Sequence, residues 1–388
     1  MTKKRILFLD VLRGIAICAV LLLHHLEHFD VYHFPKTYPS WLVTLDKGVW
    51  QSLFFIFAGK AYSIFAMLFG VTFYIQMNGA KERGTKCWDL VFFRRMIILF
   101  LVGMINSIFF QGDILSIYSV LGILLIPLSH IRNTKILWSI AFILMLHPLA
   151  VYQLTDGLLH PTQTLENPAS WHYFGEMNKY ITEGSFIATA KGNLVNGRTA
   201  VLLWSYENGR YFTITALFIT GWLLAKKDRF SHNEKNHIFW RNCGFTALGL
   251  SVIIHTLFYL AKAHIKVIPI SRPLMEILSC WKNISFMFVL VALFYWGYNQ
   301  VKLKNIMNFF APLGAMSMSN YVFQSLTGGL IYYGYGLGLY KYTGATFSSL
   351  IGVVIIITAQ YLSRWWQSSH KRGPLETVWH KLTWLGKR

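Results

Sequence analysis

The first apolar segment of this chain carries ionisable side chains whose spacing could support chemistry inside a membrane. Arg13 follows Asp10 by three positions, His24 follows Arg13 by eleven, and His28 follows Asp10 by eighteen. These separations are close to whole turns of an α-helix, so the four side chains are predicted to share one face. Ionisable groups within a spanning helix normally face protein or water and mark a functional site. We therefore expect a substrate site along this face.

Each of these residues has a chemical role open to it. Arg13 offers a forked cation that could hold a phosphate or pyrophosphate, with Asp10 fixing its rotamer; the alternative is that the pair only neutralises itself. His24 lies about 16 Å further along the helix and could act as a general base. His24 and His28 have the spacing of a helical metal pair, but no carboxylate motif completes it, so we expect no metal site.

Later apolar runs contain further candidates. Lys60 lies inside the second run and needs a carboxylate, carbonyl or water, which either the protein or a substrate could supply. Asp113 follows Gly112 at a tight turn and either orients an outer histidine or caps the helix that begins at Ile114. The spacing of Asn320 and Gln324 is more typical of helix packing than of ligand binding. The remaining candidate binding residues are Arg94, Arg95, Asn106 and Arg210.

Composition indicates the class of protein. Of 388 residues, 54% are hydrophobic and only 13% are charged, and the mean hydropathy is +0.43, which is typical of a polytopic membrane protein. The net charge of +20 comes from short basic clusters between apolar runs, a pattern that argues against nucleic-acid binding. The four cysteines lie in or beside apolar segments without paired metal spacing, so neither a disulfide framework nor a zinc site is indicated, and we expect them to be packing residues.

Apolar runs predict an all-α bundle of about ten transmembrane helices that forms one domain over residues 1–388. The polar interval 155–209 is expected to form an extracytoplasmic cap, and residues 364–388, rich in tryptophan and basic residues, a cytoplasmic interfacial helix and tail. The ten runs are 6–26, 52–77, 95–110, 114–131, 136–154, 210–225, 243–261, 277–297, 315–335 and 346–363.

Basic residues indicate the orientation of this bundle. With the N-terminus in the cytoplasm, 23 lysines and arginines, including Lys3, Lys4 and Arg5, fall on the cytoplasmic side, against ten in the opposite loops. This asymmetry follows the positive-inside rule and predicts that both termini are cytoplasmic. We expect the protein in a bacterial inner membrane.

Several motifs together resemble a known family. They are DVLRGIAICAVLLLHH, AMLFG, FFRRMIILFLVGMINSIFFQGDILSIYSVLG, NGRYFTITALFITGWLLAKK, SMSNYVFQSL and GPLETVWHKLTW, and they cover nearly the whole chain. In this combination and order the chain resembles the YeiB family, catalogued as domain of unknown function 418. The opening D-x-x-R-G segment is also similar to the wider transmembrane acyltransferase superfamily.

That resemblance implies transfer of an acyl group, such as acetyl, from cytoplasmic acyl-CoA to an extracytoplasmic hydroxyl or amine on a glycan or lipid. Arg13 and His24 match the spacing of eleven residues between an arginine and the histidine of transfer in type three acyltransferases. YeiB-like sequences commonly carry asparagine at the place of His24 and histidine at that of Asn106. We expect no tightly bound cofactor, with acyl-CoA as co-substrate. In the mechanism that we expect, His24 removes the acceptor proton or takes the acyl group, and Asp113 or Lys60 steadies the developing charges.

Two other functions fit the same residues. Ionisable groups spread across the membrane depth could belong to a transporter or flippase of a small anionic or lipid-linked solute, although no inverted repeat is visible. Alternatively, the polar residues only hold together a noncatalytic scaffold. Self-association into a homodimer is compatible with each function.

Overall fold

The computed structural model describes residues 6–33, 35 and 37–385, and these residues form helices joined by turns, with no strand among them. The all-α expectation is therefore confirmed for the described chain. Three short helical turns of other kinds lie at Asn193–Gly197, Asn308–Phe310 and Leu339–Lys341. The α-helices are α1 Leu7–Leu26, α2 Ser40–Phe57, α3 Ala61–Glu82, α4 Trp88–Ser107, α5 Leu115–Ile123, α6 Leu125–Leu128, α7 Thr134–Met145, α8 Pro148–Leu159, α9 Ala169–Ile181, α10 Phe186–Gly192, α11 Arg198–Glu207, α12 Arg210–Lys226, α13 Glu234–His264, α14 Ile268–Tyr298, α15 Val301–Met307, α16 Ala311–Ala315, α17 Ser317–Tyr332, α18 Ala345–Ser369 and α19 Pro374–Thr383.

Each of the ten apolar runs contains helix, but fewer stretches are long and apolar enough to cross a bilayer. Among the described residues there are six, and a seventh results if α7 and α8, which meet at a bend of 48°, count as one span. A multi-pass membrane protein follows from this, whereas the ten-span count and the cytoplasmic placement of both termini stay predictions. The basic residues at positions 3–5 lie outside the described residues. The six stretches are Leu7–Leu26, Ser40–Glu82, Trp88–Ser107, Glu234–His264, Ile268–Tyr298 and Ala345–Ser369.

The run 52–77 differs from the single uninterrupted span expected of it. Helix α2 ends at Phe57 and α3 begins at Ala61, with Lys60 in the break between them. Gly59 has a φ of 79°, which a continuing α-helix cannot contain, and a Cβ at this position would collide with the side chain of Asn283 on α14. The left-handed backbone at Gly59 thus interrupts the run beside Asn283, and apolar periodicity does not reveal this break.

Helix α12 forms the centre of the bundle, since every residue from Thr213 to Leu224 is buried. It packs directly on α3 through reciprocal glycine contacts, in which Gly70 faces the backbone of Phe218 and Gly221 faces the backbone of Met67. A side chain on either glycine would overlap the facing backbone. Close approach of two helices through small residues is the packing mode that membranes favour.

Helix α13 lies at the edge of the bundle and exposes its apolar side chains. Only 11% of its most apolar window is buried, and Phe245, Val252, Ile253 and Tyr259 are each more than half exposed. A contiguous apolar face of this size on a long helix marks a surface that lipid covers. Most of the buried polar side chains lie on other helices, for example Asn106 on α4, Gln324 on α17 and Gln360 on α18.

Candidate functional site

A partly open cavity of about 1410 Å³ lies beside the C-terminal end of α1, and we call it the cap-end cavity. The α2–α3 break, α12 and α14 form its other walls, and Trp171 and Trp204 from the 155–209 segment contribute aromatic faces. Its lining is rich in ionisable groups of both signs. They are His24, Glu27, Asp30, Lys60, Arg210, His255, Arg272, Glu276 and Lys282.

A strained turn after α1 determines which side chains reach this cavity. His28, Phe29 and Asp30 have φ values of 49°, 53° and 72°, in the left-handed region that side chains other than glycine rarely adopt. The turn is held by hydrogen bonds to the Phe29 carbonyl from the Tyr333 hydroxyl, at 3.0 Å, and to Asp30 Oδ2 from Gln111 Nε2, at 2.7 Å. Such strain persists only where surrounding contacts impose it, and it is concentrated at functional sites.

His24 is the imidazole that the turn leaves facing the cavity. Its ring centroid lies 4.8 Å from that of Phe110 and 5.5 Å from that of Phe29, so aromatic packing fixes the ring. Its Nδ1 is buried and has no hydrogen-bond partner within the described part of the chain. Because Nδ1 is shielded from the cavity, the ring nitrogen that can meet a substrate there is Nε2, which is not among the buried unpaired atoms.

Two carboxyl groups share the cavity with His24. Burial, and then the neighbouring Asp30 charge, raise the pKa of Glu27 from 4.5 to about 8, against a hydrogen bond of 3.1 Å from the Tyr32 hydroxyl. Burial likewise raises the pKa of Asp30 to about 6, opposed by the Gln111 amide. Carboxyl groups that titrate near neutral pH can exchange protons with a substrate or with a nearby base.

Cations complete the electrostatics of the site. The Arg210 guanidinium lies 4.2 Å from the Tyr62 ring and 5.2 Å from the Trp204 ring, and its buried Nε makes no hydrogen bond to the described residues. Lys60 is only 4% exposed, and its Nζ lies 5.6 and 5.7 Å from two phenylalanine rings. Neither cation forms an ion pair with a carboxylate of the described chain. A cation removed from water without a counter-ion favours an anionic ligand group.

The polar face predicted for α1 is divided between two ends of the molecule. Arg13 Nη1 lies 3.0 Å from Asp10 Oδ1, and Nη2 donates to Thr72 Oγ1 at 3.1 Å. Neither Asp10 nor Arg13 lines the cap-end cavity. The ion pair between Asp10 and Arg13 fits both interpretations of these residues, and Arg13 and His24 do not line a common cavity.

His28 also lies apart from His24. Helix α1 ends at Leu26, so the predicted helical pairing of His24 with His28 is wrong, because the left-handed turn redirects the His28 side chain. Its Nε2 lies 2.7 Å from Ser348 Oγ on α18, and the residue is fully buried. His28 thus fastens the turn to α18.

Asp113 belongs to a polar network behind the cavity wall. Its Oδ2 accepts a hydrogen bond of 2.9 Å from Ser116 N at the start of α5, which confirms the capping interpretation. Asn106 Nδ2 donates to Asp113 Oδ1 at 3.1 Å, and Arg198 Nη1 lies 3.9 Å from Asp113 Oδ2. Burial raises the pKa of Asp113, and these three partners oppose that rise. Nothing in the sequence pairs Arg198 with Asp113, 85 residues earlier.

The other predicted binding residues occupy separate places. Asn320 donates to Leu313 O at 3.2 Å and to Ser363 Oγ at 3.0 Å, so the packing interpretation is confirmed for it. Gln324 is fully buried, and its amide has no hydrogen-bond partner in the described residues. Arg94 and Arg95 lie at the opposite end of the molecule, where Arg94 Nη1 donates to Leu385 O at 2.6 Å.

Of the predicted residues, the structure therefore brings together His24, Lys60 and Arg210. Sequence reasoning missed Glu27 and Asp30, although Glu27 follows His24 by three positions and so lies on the same helical face. Asp30 gave no such signal, because a strained turn and not a helix places it.

Comparisons with known proteins assign this chain relatives but no activity. Residues 224–386 match the family model described as "Protein of unknown function (DUF418)". The uncharacterized protein YxaH of Bacillus subtilis (strain 168) is 26% identical over 99% of this chain and 96% of its own length. The uncharacterized protein YeiB of Escherichia coli (strain K12) is 25% identical over 98% of this chain and 96% of its own. An uncharacterized 39.9 kDa protein in the amylase 3' region of Bacillus acidopullulyticus is 33% identical over 37% of this chain and 39% of its own. No solved structure matches the chain.

Proposed function

This chain belongs to the YeiB family of DUF418 proteins, and we propose that it is a membrane acyltransferase whose transfer step takes place in the cap-end cavity. One observation carries the proposal. The His24 imidazole lines a large cavity that also holds a titratable carboxyl group and two cations, Lys60 and Arg210, that form no ion pair with a carboxylate of the described residues. General-base transfer to a hydroxyl or amine needs these components together.

The reaction uses His24 as the base. An acceptor hydroxyl or amine gives its proton to the His24 imidazole while its oxygen or nitrogen attacks the thioester carbonyl of an acyl-CoA. The carbonyl oxygen becomes an oxyanion, which the Arg210 guanidinium stabilises. The carbon–sulfur bond then breaks, and the departing thiolate takes the proton from the imidazolium. In the alternative route His24 takes the acyl group first and passes it to the acceptor.

The surroundings of the cavity favour an acceptor with a flat or apolar face. Trp171 and Trp204 can stack against a sugar or contact the chain of a lipid. We propose that this end of the molecule is extracytoplasmic and that both termini are cytoplasmic, on the strength of the basic residues in the loops. The protein then works in a bacterial inner membrane and draws acyl groups from the cytoplasm.

The test uses purified full-length protein in nanodiscs with acetyl-CoA and a bacterial envelope extract as the acceptor mixture. Free coenzyme A and acetylated products are measured by mass spectrometry. His24→Asn should lower turnover about 100-fold or more, as expected for loss of a general base. His255→Asn is the matched control, because it removes another imidazole from the same cavity and should keep most of the activity.

Two results would contradict the proposal. Unchanged turnover in His24→Asn would remove His24 from the mechanism. A wild-type protein that leaves acetyl-CoA and every extract component unchanged would remove acyl transfer itself.

A second candidate function is transport, and the shape of the cavity favours it. The cavity is partly open beside the C-terminal end of α1, but near Arg13 the bundle is tightly packed, since Gly14 and Gly314 leave no room for a side chain between α1 and α16. A polar cavity open towards one end resembles one state of alternating access. Uptake of a labelled anionic solute into proteoliposomes, with acetyl-CoA unchanged, would favour this function over the enzyme.

A further inference from the structure

A second pocket, of about 720 Å³, lies at the opposite end of the molecule, and we call it the tail-end pocket. Helices α3, α4 and α19 and the segment before α19 contribute its walls. Its volume is in the range of small-molecule sites. It is lined by Gln76, Arg83, Trp88, Val91, Arg95, Ala315, Lys371, Arg372, Glu376, Trp379, His380, Thr383 and Trp384.

Helix α19 is fixed in place as one wall of this pocket. Trp379 Nε1 donates to Arg95 O at 2.9 Å, which attaches α19 to α4. Glu376 Oε1 accepts hydrogen bonds from Met318 N at 2.8 Å and Ser319 N at 3.1 Å, at the start of α17. The pocket is therefore built by tertiary contacts on two sides of α19.

Positive charge dominates the pocket. Arg83, Arg95, Lys371 and Arg372 line it, against the single carboxylate of Glu376, whose two oxygens are already occupied by α17. The Arg95 guanidinium stacks 3.5 Å from the Trp379 ring. None of the four cations forms an ion pair among the residues described.

His380, which also lines the pocket, lies close to the same positive charges. Burial, followed by the charges of Arg372 and Arg95, lowers the pKa of His380. The charges of Arg372 and Arg95 thus add to the effect of burial on this imidazole.

We infer that the tail-end pocket binds a phosphorylated anion, either a phosphate ester on a soluble molecule or the phosphodiester headgroup of a lipid. Arginine forks match phosphate oxygens, and Trp88, Trp379 and Trp384 offer flat faces to the group that carries the phosphate. The inference concerns binding at the end opposite the cap-end cavity and does not rest on the acyl-transfer proposal.

Hydrogen bonds connect Arg13 to two of the helices that contribute to the tail-end pocket. Gln76 lines the pocket one helical turn from Thr72, and Ala315 lines it directly after Gly314. Thr72 Oγ1 and Gly314 O both accept hydrogen bonds from Arg13. The Asp10–Arg13 pair is therefore bonded to two helices that contribute to the pocket, α3 and α16, although neither residue lines it.

The test is equilibrium binding by calorimetry to the full-length protein in detergent. Coenzyme A, inorganic pyrophosphate and a short-chain phosphatidylglycerol are the probes. The charge is removed by Arg372→Gln, because Arg372 is exposed and its replacement leaves the packing of α19 intact. Arg372→Lys keeps the charge but loses the forked guanidinium. The control for net charge is Lys302→Gln, because Lys302 is exposed on α15.

We expect Arg372→Gln to raise the Kd of the bound probe about tenfold, Arg372→Lys to raise it less, and Lys302→Gln to leave it unchanged. Saturable binding of coenzyme A identifies a soluble phosphorylated ligand, and binding of phosphatidylglycerol alone identifies a lipid headgroup. No saturable binding of any probe, or equal Kd values in the wild type and Arg372→Gln, would overturn the inference. Normal binding by His24→Asn separates this result from the outcome of the turnover assay.

Discussion

Replacing Glu27 by glutamine tests whether the cap-end cavity withdraws a carboxyl group from water. The pKa of Glu27 is raised in the folded protein, so its contribution to stability is fully present below about pH 4.5 and is lost as the pH rises towards about 8. Glutamine keeps the shape and the acceptor for the Tyr32 hydroxyl but carries no charge. We therefore expect Glu27→Gln to be more stable than the wild type above pH 8.

The size of this effect follows from the pKa. A rise from 4.5 to about 8 corresponds to about 5 kcal/mol if all of it acts on folding. Water in the partly open cavity and the linked titration of Asp30 reduce this contribution to folding. We therefore expect Glu27→Gln to be more stable than the wild type by ~2 kcal/mol at high pH. For a chain of 388 residues, that difference corresponds to a Tm increase of about 2–3 °C at high pH.

The assay is thermal unfolding in detergent, followed by tryptophan fluorescence between pH 5 and pH 9. Glu183→Gln is the control, since Glu183 is exposed in the 155–209 segment and its replacement should leave the Tm profile unchanged. Parallel Tm profiles of the wild type and Glu27→Gln across this range would refute the reasoning. So would a Glu27→Gln protein that is less stable than the wild type at pH 9, because Glu27 would then be stabilised as an anion.

Three further predictions concern the packing of the bundle. Ser348→Ala should lower the free energy of unfolding by about 1–2 kcal/mol, because the His28 imidazole loses a buried hydrogen-bond partner. The control is Ser349→Ala, whose hydroxyl bonds only within its own helix and whose loss should cost less than about 0.5 kcal/mol. Thermal unfolding measures both variants. Gly221→Leu should abolish the monodisperse peak in size-exclusion chromatography, because the side chain overlaps the backbone of α3, and Gly249→Leu, which meets open space on α13, should elute as the wild type does. Arg13→Gln should lower the free energy of unfolding by about 1–2 kcal/mol, because it removes the charge-assisted hydrogen bond from Nη1 to Asp10 Oδ1, and an unchanged Tm would contradict that role.

Much of the fold could be predicted from local pattern. Apolar runs of sufficient length locate helices, and the ten runs read from the sequence all contain helix. The break at Gly59 was not predictable in this way, because an isolated glycine is tolerated in a helix and apolar periodicity does not register a left-handed residue. The number of true spans likewise depends on how short helices such as α5 and α6 pack together.

In the candidate site, too, some residues could be predicted from local sequence and others only from tertiary contacts. His24 and Arg210 were identifiable as ionisable groups in apolar segments, and Lys60 by the same reasoning. Glu27 could have been identified from its spacing, because it follows His24 by three positions on a helix. Asp30 was not, since its position depends on a left-handed turn held by Gln111, which is 81 residues away.

The sequence by itself determined that this protein is helical, crosses a membrane several times and carries ionisable groups within its apolar segments, because hydropathy and helical periodicity are local properties of the chain. Tertiary structure alone decided which of those groups meet. It separates Arg13 from His24, directs His28 onto α18, and gathers Glu27, Asp30 and Arg210 around one cavity. The reason is physical: contacts between residues distant in the chain, and the strain that they impose on the turn after α1, are encoded in no single stretch of it.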